Sequence, residues 1–439
     1  MGEHTDKLQP LALDGGPPVR ATPLPGENRQ MGDEEIAALT EVIQSGRLGR
    51  QTGSQTKALE QEFAERYGVQ YAVAVSSGSA AVHTAIAAIN PEPGDEIITT
   101  PCSDFGTILG ILFQNAIPVF ADLDPETFCL DPASVEANIT NRTRAILAVH
   151  LFGGLADLTA LRAIADRHDI PLIEDCAQAQ LSGYQGRLAG TIGDLACFSF
   201  NATKHLNCGE GGMVVTNEPA LARRARLFAD KAWPRDEEAR FSLFLGQNYR
   251  LDELSAAVAR VGLRRLDDNV SARRRAADRI YRQIAEVPGV RVPRALPDTH
   301  SSYWILHVLI EPGIDLDWVV RALQAEGLPF SARYVTPLYT WPVLRDRQTY
   351  GQSGFPFNSP YTDRPFDYAE GLCPVYEAAR ERLLLISVDE QWTDDDADDI
   401  ARGLKKVFAH AVDTRVQEAV GVGVGGGVSF SSPASGGKA

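Results

Sequence analysis

Short runs of apolar residues recur between residues 71 and 215, and helix-like stretches separate them. The runs are YAVAV, EIITT, IPVFA, RAILAV, IPLIE, ACFSF and GMVV. Their apolar residues are continuous rather than alternating, which is typical of strands covered on both faces. The pattern therefore predicts an α/β fold in which crossover helices cover a mostly parallel central sheet.

Two amphipathic patterns precede the first run. DEEIAALTEVIQSG places Ile36, Leu39 and Ile43 on one helix face, and we expect Asp33 to cap this helix. TKALEQEFAERYG predicts a second helix that ends at a glycine. Residues 1–30 are rich in glycine and proline and are expected to form an irregular N-terminal arm.

The pattern changes after YRLDELSAAVARVGLRRLDD. An arginine-rich stretch predicts a long connecting helix over residues 271–286, with arginines 273–275 on a solvated face. Beyond it, the strand YWILHVLI, the helix DWVVRALQAEG, the strand LLLISV and a last helix near 393–409 indicate a smaller α+β unit.

We therefore predict a large α/β domain over residues 31–270 and a smaller C-terminal α+β domain over residues 271–411. Residues 335–376 are rich in Pro, Tyr and Phe and predict a long loop, which in a compact domain is usually functional. The low-complexity residues 412–439 are expected to be a disordered tail.

Composition excludes several functions. The 439 residues include 42 basic and 58 acidic side chains, and the net charge of −16 argues against a nucleic-acid or anionic-membrane partner. The six cysteines form no CxxC pair and are too sparse for a disulfide scaffold, so we expect a reduced, cytoplasmic protein. Neither a signal-peptide core nor a bilayer-spanning apolar run is found.

Ligands of parallel α/β folds bind at the carboxyl ends of the strands, so the polar residues after the apolar runs are candidates for chemistry. Ser77, Gly78, Ser79 and Ala80 form a small-residue turn between YAVAV and a helix. Backbone N–H groups and hydroxyls at a helix N-terminus suit a phosphate. A capped helix start is the commoner explanation of such a turn taken alone.

Two further features follow later runs. Glu174 and Asp175 end IPLIE, and Lys204 lies between ACFSF and a glycine cluster. A lone carboxylate there is commonly a helix cap, but a buried one is also the partner that a protonated heterocyclic nitrogen needs. A lysine is costly to bury unless it is paired or used chemically. A phosphate cup, a carboxylate and a loop lysine are the parts that hold pyridoxal phosphate (PLP).

The chain resembles the DegT/StrS-type sugar aminotransferases, within the fold-type I PLP enzymes. The resemblance extends from LALDGGPPVR to about Val407. Its stretches, in family order, are SSGSAA, GDEIITTP, PVFADLDPETFCLDP, AVHLFGG, IEDCAQA, GTIGDLACFSF, TKHLNCGEGGMVVTN and GQNYRLDELSAAV.

The resemblance implies a role for each matching residue. Lys204 would be the Schiff-base lysine and proton carrier, and Asp175 would pair with the pyridinium nitrogen. Gln178 would contact the ring hydroxyl, and Phe105 would stack on the ring. Asn248 would reach the phosphate of the other subunit's cofactor, which implies a homodimer with shared sites. The phosphate cup is implied at Gly78, Ser79, Ala80 and Ser199.

Four other residues are weighed individually. His150 is balanced between a substrate contact and a hydrogen-bonded scaffold role. His205 is expected to be structural, because a neighbour of Lys204 in sequence usually points the other way. Arg250 could hold an anionic substrate group or a helix-end carboxylate. Cys208 lies near the lysine, but no base is in view to make it a nucleophile.

The implied function is a PLP-dependent aminotransferase that moves an amino group from glutamate or glutamine to a keto-sugar or keto-cyclitol, in amino-sugar or antibiotic-type biosynthesis. The opening LALDGGPPVR favours the cyclitol branch by analogy. One alternative is a PLP-dependent sugar dehydratase, although those relatives carry histidine where Lys204 stands. A PLP-binding regulatory or sensor protein is the alternative from another class. No metal site is predicted.

Overall fold

The computed structural model describes residues 8–26, 31–238, 241–358, 360–362 and 364–421. Seven strands form its central sheet, and each coincides with one of the predicted apolar runs. They are β1 (Tyr71–Val75), β2 (Glu96–Thr99), β3 (Ile117–Phe120), β4 (Thr143–Val149), β5 (Leu172–Asp175), β6 (Leu195–Ser199) and β7 (Gly212–Thr216).

The strand order across the sheet is β1-β7-β6-β5-β4-β2-β3. The pairs β2–β3, β2–β4, β4–β5 and β5–β6 are parallel, whereas β7 is antiparallel to both of its neighbours. The predicted α/β fold with a mostly parallel sheet is therefore confirmed. β5 lies in the middle of the sheet, so residues at its carboxyl end are far from either edge.

Helices cover both faces of this sheet, as continuous apolar strands require. Helix α3 has an apolar surface all round and is buried from Ala80 to Ile89. The helices of this region are α1 (Asp33–Ser45), α2 (Gln55–Tyr67), α3 (Gly78–Ile89), α4 (Gly106–Phe113), α5 (Pro132–Ala137), α6 (Leu158–His168), α7 (Pro219–Ala229) and α8 (Glu253–Ile284).

A smaller antiparallel sheet, in the order β8-β9-β11-β10, forms a second core with the helices around it. Its strands are β8 (Val290–Arg291), β9 (Ile305–Ile310), β10 (Ser331–Ala332) and β11 (Leu383–Ser387). Its helices are α9 (Leu316–Ala325) and α12 (Asp394–Gly421), whereas the short helices α10 (Pro342–Arg345) and α11 (Pro374–Arg380) pack into the core of the large sheet. The two-strand hairpin Gly183–Tyr184 and Arg187–Leu188 pairs with Thr299–His300.

The prediction of a separate helix over 271–286 is wrong, because α8 is continuous and carries both cores. No glycine or proline interrupts it near residue 270, so the predicted domain boundary at 270/271 falls inside a helix. The predicted solvated arginine face also needs correction. Arg273 is fully buried, and its Nε and Nη2 donate to Glu390 at 2.9 and 2.6 Å.

The chain termini depart from the predictions in a similar way. The N-terminal arm contains a short 3₁₀ helix (Ala12–Asp14), and buried Glu326 accepts the backbone N–H groups of Ala12 and Val19. Helix α12 continues through Gly421, so a disordered tail beginning at 412 is wrong for its first part. The rest of the predicted tail lies outside the described residues.

Two local expectations are also corrected. Helix α1 is capped by Glu35, which accepts the N–H of Gly32, and not by Asp33. The predicted loop 335–376 is not irregular throughout, because it contains the 3₁₀ helix Leu338–Thr340, α10 and the start of α11. None of the helices in the described part of the chain has both the length and the apolar character needed to cross a bilayer.

Candidate active site

The carboxyl ends of β5 and β6 meet the N-termini of α3 and α4 around a cleft of about 300 Å³. Parallel sheets place their ligand sites at this edge. The cleft is lined by most of the predicted site residues, namely Gly78, Ser79, Asp175, Gln178, Ser199 and Lys204. Ala80, Phe105 and Asn248 do not line it. The structure thus brings together residues that are up to 126 positions apart in the sequence (78 to 204).

The turn before α3 forms one wall of the cleft. Ser77 is the N-cap, and its Oγ accepts the N–H of Ala80 at 3.0 Å, so this N–H is used by the cap. Gly78 has to be a glycine, because a Cβ there would lie 2.7 Å from the Cβ of Ser199. This close approach sets the Ser199 hydroxyl beside the positive end of the helix dipole, which favours an anion.

Asp175 ends β5 and faces the cleft while being almost fully buried. Its Oδ1 accepts the N–H of Ala177 at 3.1 Å, and its Oδ2 accepts the Thr107 hydroxyl at 3.0 Å. Burial raises the pKa of Asp175, although the Ala177 and Thr107 hydrogen bonds and the charge of Lys204 oppose the rise. A cation bound in front of this carboxylate would therefore be strongly favoured.

Lys204 is half-buried at the end of a turn in which its N–H donates to the Asn201 carbonyl at 2.9 Å. Its Nζ lies 3.6 Å from the centroid of the Trp304 ring, a cation–π distance. Trp304 is itself fixed, because its Nε1 donates to the Thr203 carbonyl at 2.9 Å. The lysine is thus held over the cleft and not released into solvent.

Gln178 connects the cleft to the C-terminal part of the chain. Its Oε1 accepts the N–H of Phe152 at 2.7 Å, and its Nε2 donates to the Tyr334 hydroxyl at 3.1 Å. Tyr334 and Trp304 both line the cleft and both come from the C-terminal part of the chain. The sequence patterns missed Tyr334, Trp304 and Thr107. A local signal existed only for Thr107, whose hydroxyl hydrogen-bonds to that of Ser103, four residues earlier and just before α4.

Phe105 and Asn248 lie elsewhere. Phe105 stacks on Trp341, with ring centroids 5.6 Å apart and an interplanar angle of 11°. Asn248 is exposed and bridges to Asp230 through its backbone, so it does not reach the cleft of its own chain. The roles implied for these two residues and for Ala80 stay predictions.

His150 is a hydrogen-bonded scaffold residue and does not line the cleft. It is fully buried, and its Nδ1 accepts the N–H of Ala156 at 3.3 Å, so the proton on Nε2 is directed at Glu174, 3.0 Å away. The Glu174 carboxylate also accepts three N–H groups at 2.6–2.8 Å, from Gly190, Ile192 and Gly193.

The remaining candidates are structural as well. Arg250 pairs with Asp230, which follows the last turn of α7, so the helix-end carboxylate is its partner. The His205 Nε2 lies 3.1 Å from the Ser302 carbonyl. Burial raises the pKa of Cys208 to about 12, so this thiol stays protonated at neutral pH and is no nucleophile.

The sequence model of the DegT/DnrJ/EryC1/StrS aminotransferase family matches residues 29–364. The chain belongs to this family. The resemblance noted from the motifs and the expectation of an aminotransferase are both confirmed.

Two curated relatives and one solved structure illustrate the similarity. The L-glutamine:2-deoxy-scyllo-inosose aminotransferase of Streptoalloteichus tenebrarius is 36% identical over 91% of this chain and 98% of its own. A putative L-glutamine:3-amino-2,3-dideoxy-scyllo-inosose aminotransferase of the same organism is 35% identical over 81% of this chain and 90% of its own. The crystal structure of S. venezuelae DesV has a TM-score of 0.75 and 32% identity, and the match covers 85% of this chain and 94% of DesV.

Replacing Glu174 by Gln tests the scaffold behind the cleft. In glutamine an –NH₂ group replaces one of the two oxygens, and it would face two donors instead of accepting from them. These donors are Gly190 and His150 on one side, or Ile192 and Gly193 on the other. We therefore expect the free energy of unfolding to fall by about 2–4 kcal/mol. Urea unfolding at neutral pH measures this, with the exposed Glu286→Gln variant as the control. Equal stability of Glu174→Gln and the native protein would contradict it.

The pH dependence of that loss has a defined sign. Burial acts to raise the pKa of Glu174, but the hydrogen bonds from His150, Gly193 and Gly190 outweigh it and hold the pKa below its usual value of 4.5. The stabilisation is therefore complete above the unfolded pKa and is lost as the pH falls through the lowered folded pKa. The difference in the free energy of unfolding between the native protein and Glu174→Gln should decrease when unfolding is measured below about pH 4.

Proposed function

We propose that the chain binds PLP in this cleft and transfers an amino group from glutamine or glutamate to a keto-cyclitol or keto-sugar. The observation that carries the proposal is the meeting of three groups in one cleft. These are the buried carboxylate of Asp175, the amine of Lys204 and the N-terminus of α3.

The residues of the cleft fit the cofactor. Asp175 has a raised pKa, so a protonated ring nitrogen would relieve the cost of its buried charge. The contact of Gly78 with Ser199 leaves no room for a Cβ and builds a cradle suited to a phosphate. The Gln178 amide is directed into the same cleft and would hold the ring hydroxyl. PLP, when bound, supplies an electron sink for the carbon–hydrogen bond that breaks during transamination.

The side chains of the chain supply the remaining functions. Lys204 Nζ, once deprotonated, is the amine that holds the cofactor and moves the proton of the substrate carbon. Before it loses its proton, the ammonium form of Lys204 is held beside the cleft by its contact with the Trp304 ring. Tyr334 and Trp304 close the cleft from the side of the small domain, and their rings limit the access of water.

The substrate class is inferred from the relatives. Both curated relatives named above use L-glutamine, which supports glutamine as the donor. Their acceptors differ, although the two are 36% and 35% identical to this chain. The proposal therefore names the class of acceptor, a cyclic ketone with several hydroxyls. All six cysteines are unpaired, which supports a reducing, cytoplasmic setting.

We also propose a two-fold dimer in which each active site is completed by the partner. Asn248 belongs to an exposed segment and cannot serve the cleft of its own chain without a rearrangement. Apolar side chains are exposed on the same segment and on α1, where Ile36 and Ile43 are 63% and 64% exposed. Leu245, three residues before Asn248, is 94% exposed. Burial of these side chains against a second copy would stabilise the dimer.

The half-reaction tests the function without knowledge of the acceptor. We expect L-glutamine or L-glutamate to convert the bound PLP to pyridoxamine phosphate, measured by chromatography of the released cofactor. Lys204→Ala should bind PLP but give no conversion, whereas the exposed Lys57→Ala variant should behave as the native protein. Failure of both donors with the native protein would favour the sensor alternative. A deoxygenated product without nitrogen, seen by mass spectrometry, would favour the dehydratase.

Asp175→Asn should lower the rate of that conversion about 100-fold, in the range found when one preorganised electrostatic contact is lost. The amide cannot keep a ring nitrogen protonated. The fold should be unaffected, because a raised carboxyl pKa means that the ionised form costs folding free energy and the neutral amide does not. Stopped-flow rates and melting curves measure the two effects. Native rates in Asp175→Asn would contradict the assigned role.

The shared site can be tested by mixing inactive variants. Lys204→Ala and Asn248→Ala should each be impaired alone. After subunit exchange of equal amounts, half of the dimers are mixed, and one site of each mixed dimer carries neither defect. Activity should therefore return to about a quarter of the native value. If subunit exchange is demonstrated by mass spectrometry and activity stays at the level of the single variants, the shared site is wrong.

A further inference from the structure

A second cavity of about 210 Å³ lies between the large domain and the small domain, and none of its lining residues lines the active-site cleft. Its wall is largely apolar and aromatic. The principal side chains are Phe152, Leu155, Tyr281, Leu296, Tyr303 and Ile305. An engineered apolar cavity of about 150 Å³ holds a benzene molecule, so this volume suits one six-membered ring with small substituents.

His307 on β9 lines this cavity and is 7% exposed. Among the described residues, neither ring nitrogen of His307 has a hydrogen-bond partner. The ring contacts Phe128 and Phe152, with centroids 5.3 and 4.9 Å away. Burial lowers the pKa of His307 to about 3, so the ring is neutral at pH 7 and offers one donor and one acceptor.

A buried polar side chain without a hydrogen-bond partner is unfavourable. The backbone of His307 is fixed at both groups by Tyr281, whose hydroxyl donates to the carbonyl at 2.9 Å and accepts the N–H at 3.3 Å. The backbone groups of His307 are therefore satisfied, and its two ring nitrogens are the atoms left without a partner. A polar group that enters the cavity would supply the missing hydrogen bonds.

Two arginines and two acidic residues line the cavity, and the charge of Asp278 acts on Arg274, so an anion would have to be held by the arginines. Its acidic residues are engaged, since Glu126 pairs with Arg291 and Asp278 accepts the Tyr303 hydroxyl at 2.8 Å. Arg274 donates to backbone carbonyls, and Arg294 is exposed. Within the described ranges, neither of these two arginines has a carboxylate within ion-pair distance.

We propose that this cavity is a second ligand site, which takes a small planar organic acid. The ring of the acid lies against Phe152, a hydroxyl or carbonyl group hydrogen-bonds to His307, and the carboxylate lies at Arg274 and Arg294. Arginine is suited to the carboxylate because its planar guanidinium can donate two parallel hydrogen bonds. The site is independent of the proposed PLP chemistry, because no residue of the cleft takes part in it.

The probe is 4-hydroxybenzoate, which carries a hydroxyl, a ring and a carboxylate but no ketone that the enzyme could aminate. We expect calorimetry with the full chain to show one molecule bound per chain. Benzoate, which lacks the hydroxyl, and 4-hydroxybenzyl alcohol, which lacks the charge, should each bind about tenfold more weakly. Equal binding of all three compounds would overturn the proposed contacts.

Two variants test whether the probe binds in this cavity. Arg294→Ala, at an exposed position with no folding risk, should weaken 4-hydroxybenzoate about tenfold, and the exposed Arg282→Ala should leave binding unchanged. His307→Phe should abolish binding by filling the cavity. If it does not fold, His307→Leu serves instead, since it removes both ring nitrogens. Undiminished binding in both Arg294→Ala and the His307 variant overturns the proposal, as does a cavity that holds only water in crystals soaked with the probe.

Discussion

The candidate site depends first on the buried carboxylate of Glu174. It lies in the middle strand of the sheet and accepts hydrogen bonds from three backbone N–H groups and from His150. A buried carboxylate is tolerated only when its oxygens are satisfied in this way. Because successive residues of a strand point to opposite faces, fixing Glu174 on one side fixes Asp175 on the other. The scaffold carboxylate of Glu174 and the cleft-facing carboxylate of Asp175 are therefore adjacent residues on opposite faces of one strand.

The C-terminal part of the chain supplies one wall of the cleft. Trp304, just before β9, and Tyr334, just after β10, reach the cleft, where they contact Lys204 and Gln178. Both hydrophobic cores share the continuous helix α8, whose buried Arg273 forms an ion pair with Glu390. Breaking this ion pair would be costly, because it would leave the charge of Arg273 buried without its partner in a low-dielectric interior. Because α8 packs in both cores, it fixes the C-terminal part of the chain relative to the central sheet.

Local patterns predicted most of the sheet and the polar residues at its carboxyl edge, because continuous apolar runs and strand-end carboxylates are short-range signals. Lys204, Asp175 and Gly78 were found in this way and share one cleft. Trp304 and Tyr334 were not found, since an aromatic residue beside a strand looks the same whether it faces a core or a ligand. The burial of Arg273 was missed for a related reason, as its partner Glu390 is distant in sequence.

Phe152 explains how the two cavities coexist. Its φ of 60° is unfavourable for a bulky residue by about 1–3 kcal/mol, so its surroundings must hold it. Its N–H donates to Gln178 and its carbonyl accepts the N–H of Trp304 at 3.0 Å, and both of these residues line the candidate cleft. Its ring lies against Tyr334 on one side and His307 on the other. Phe152 thus lines the second cavity and is held in its strained conformation by contacts with three residues that line the cleft.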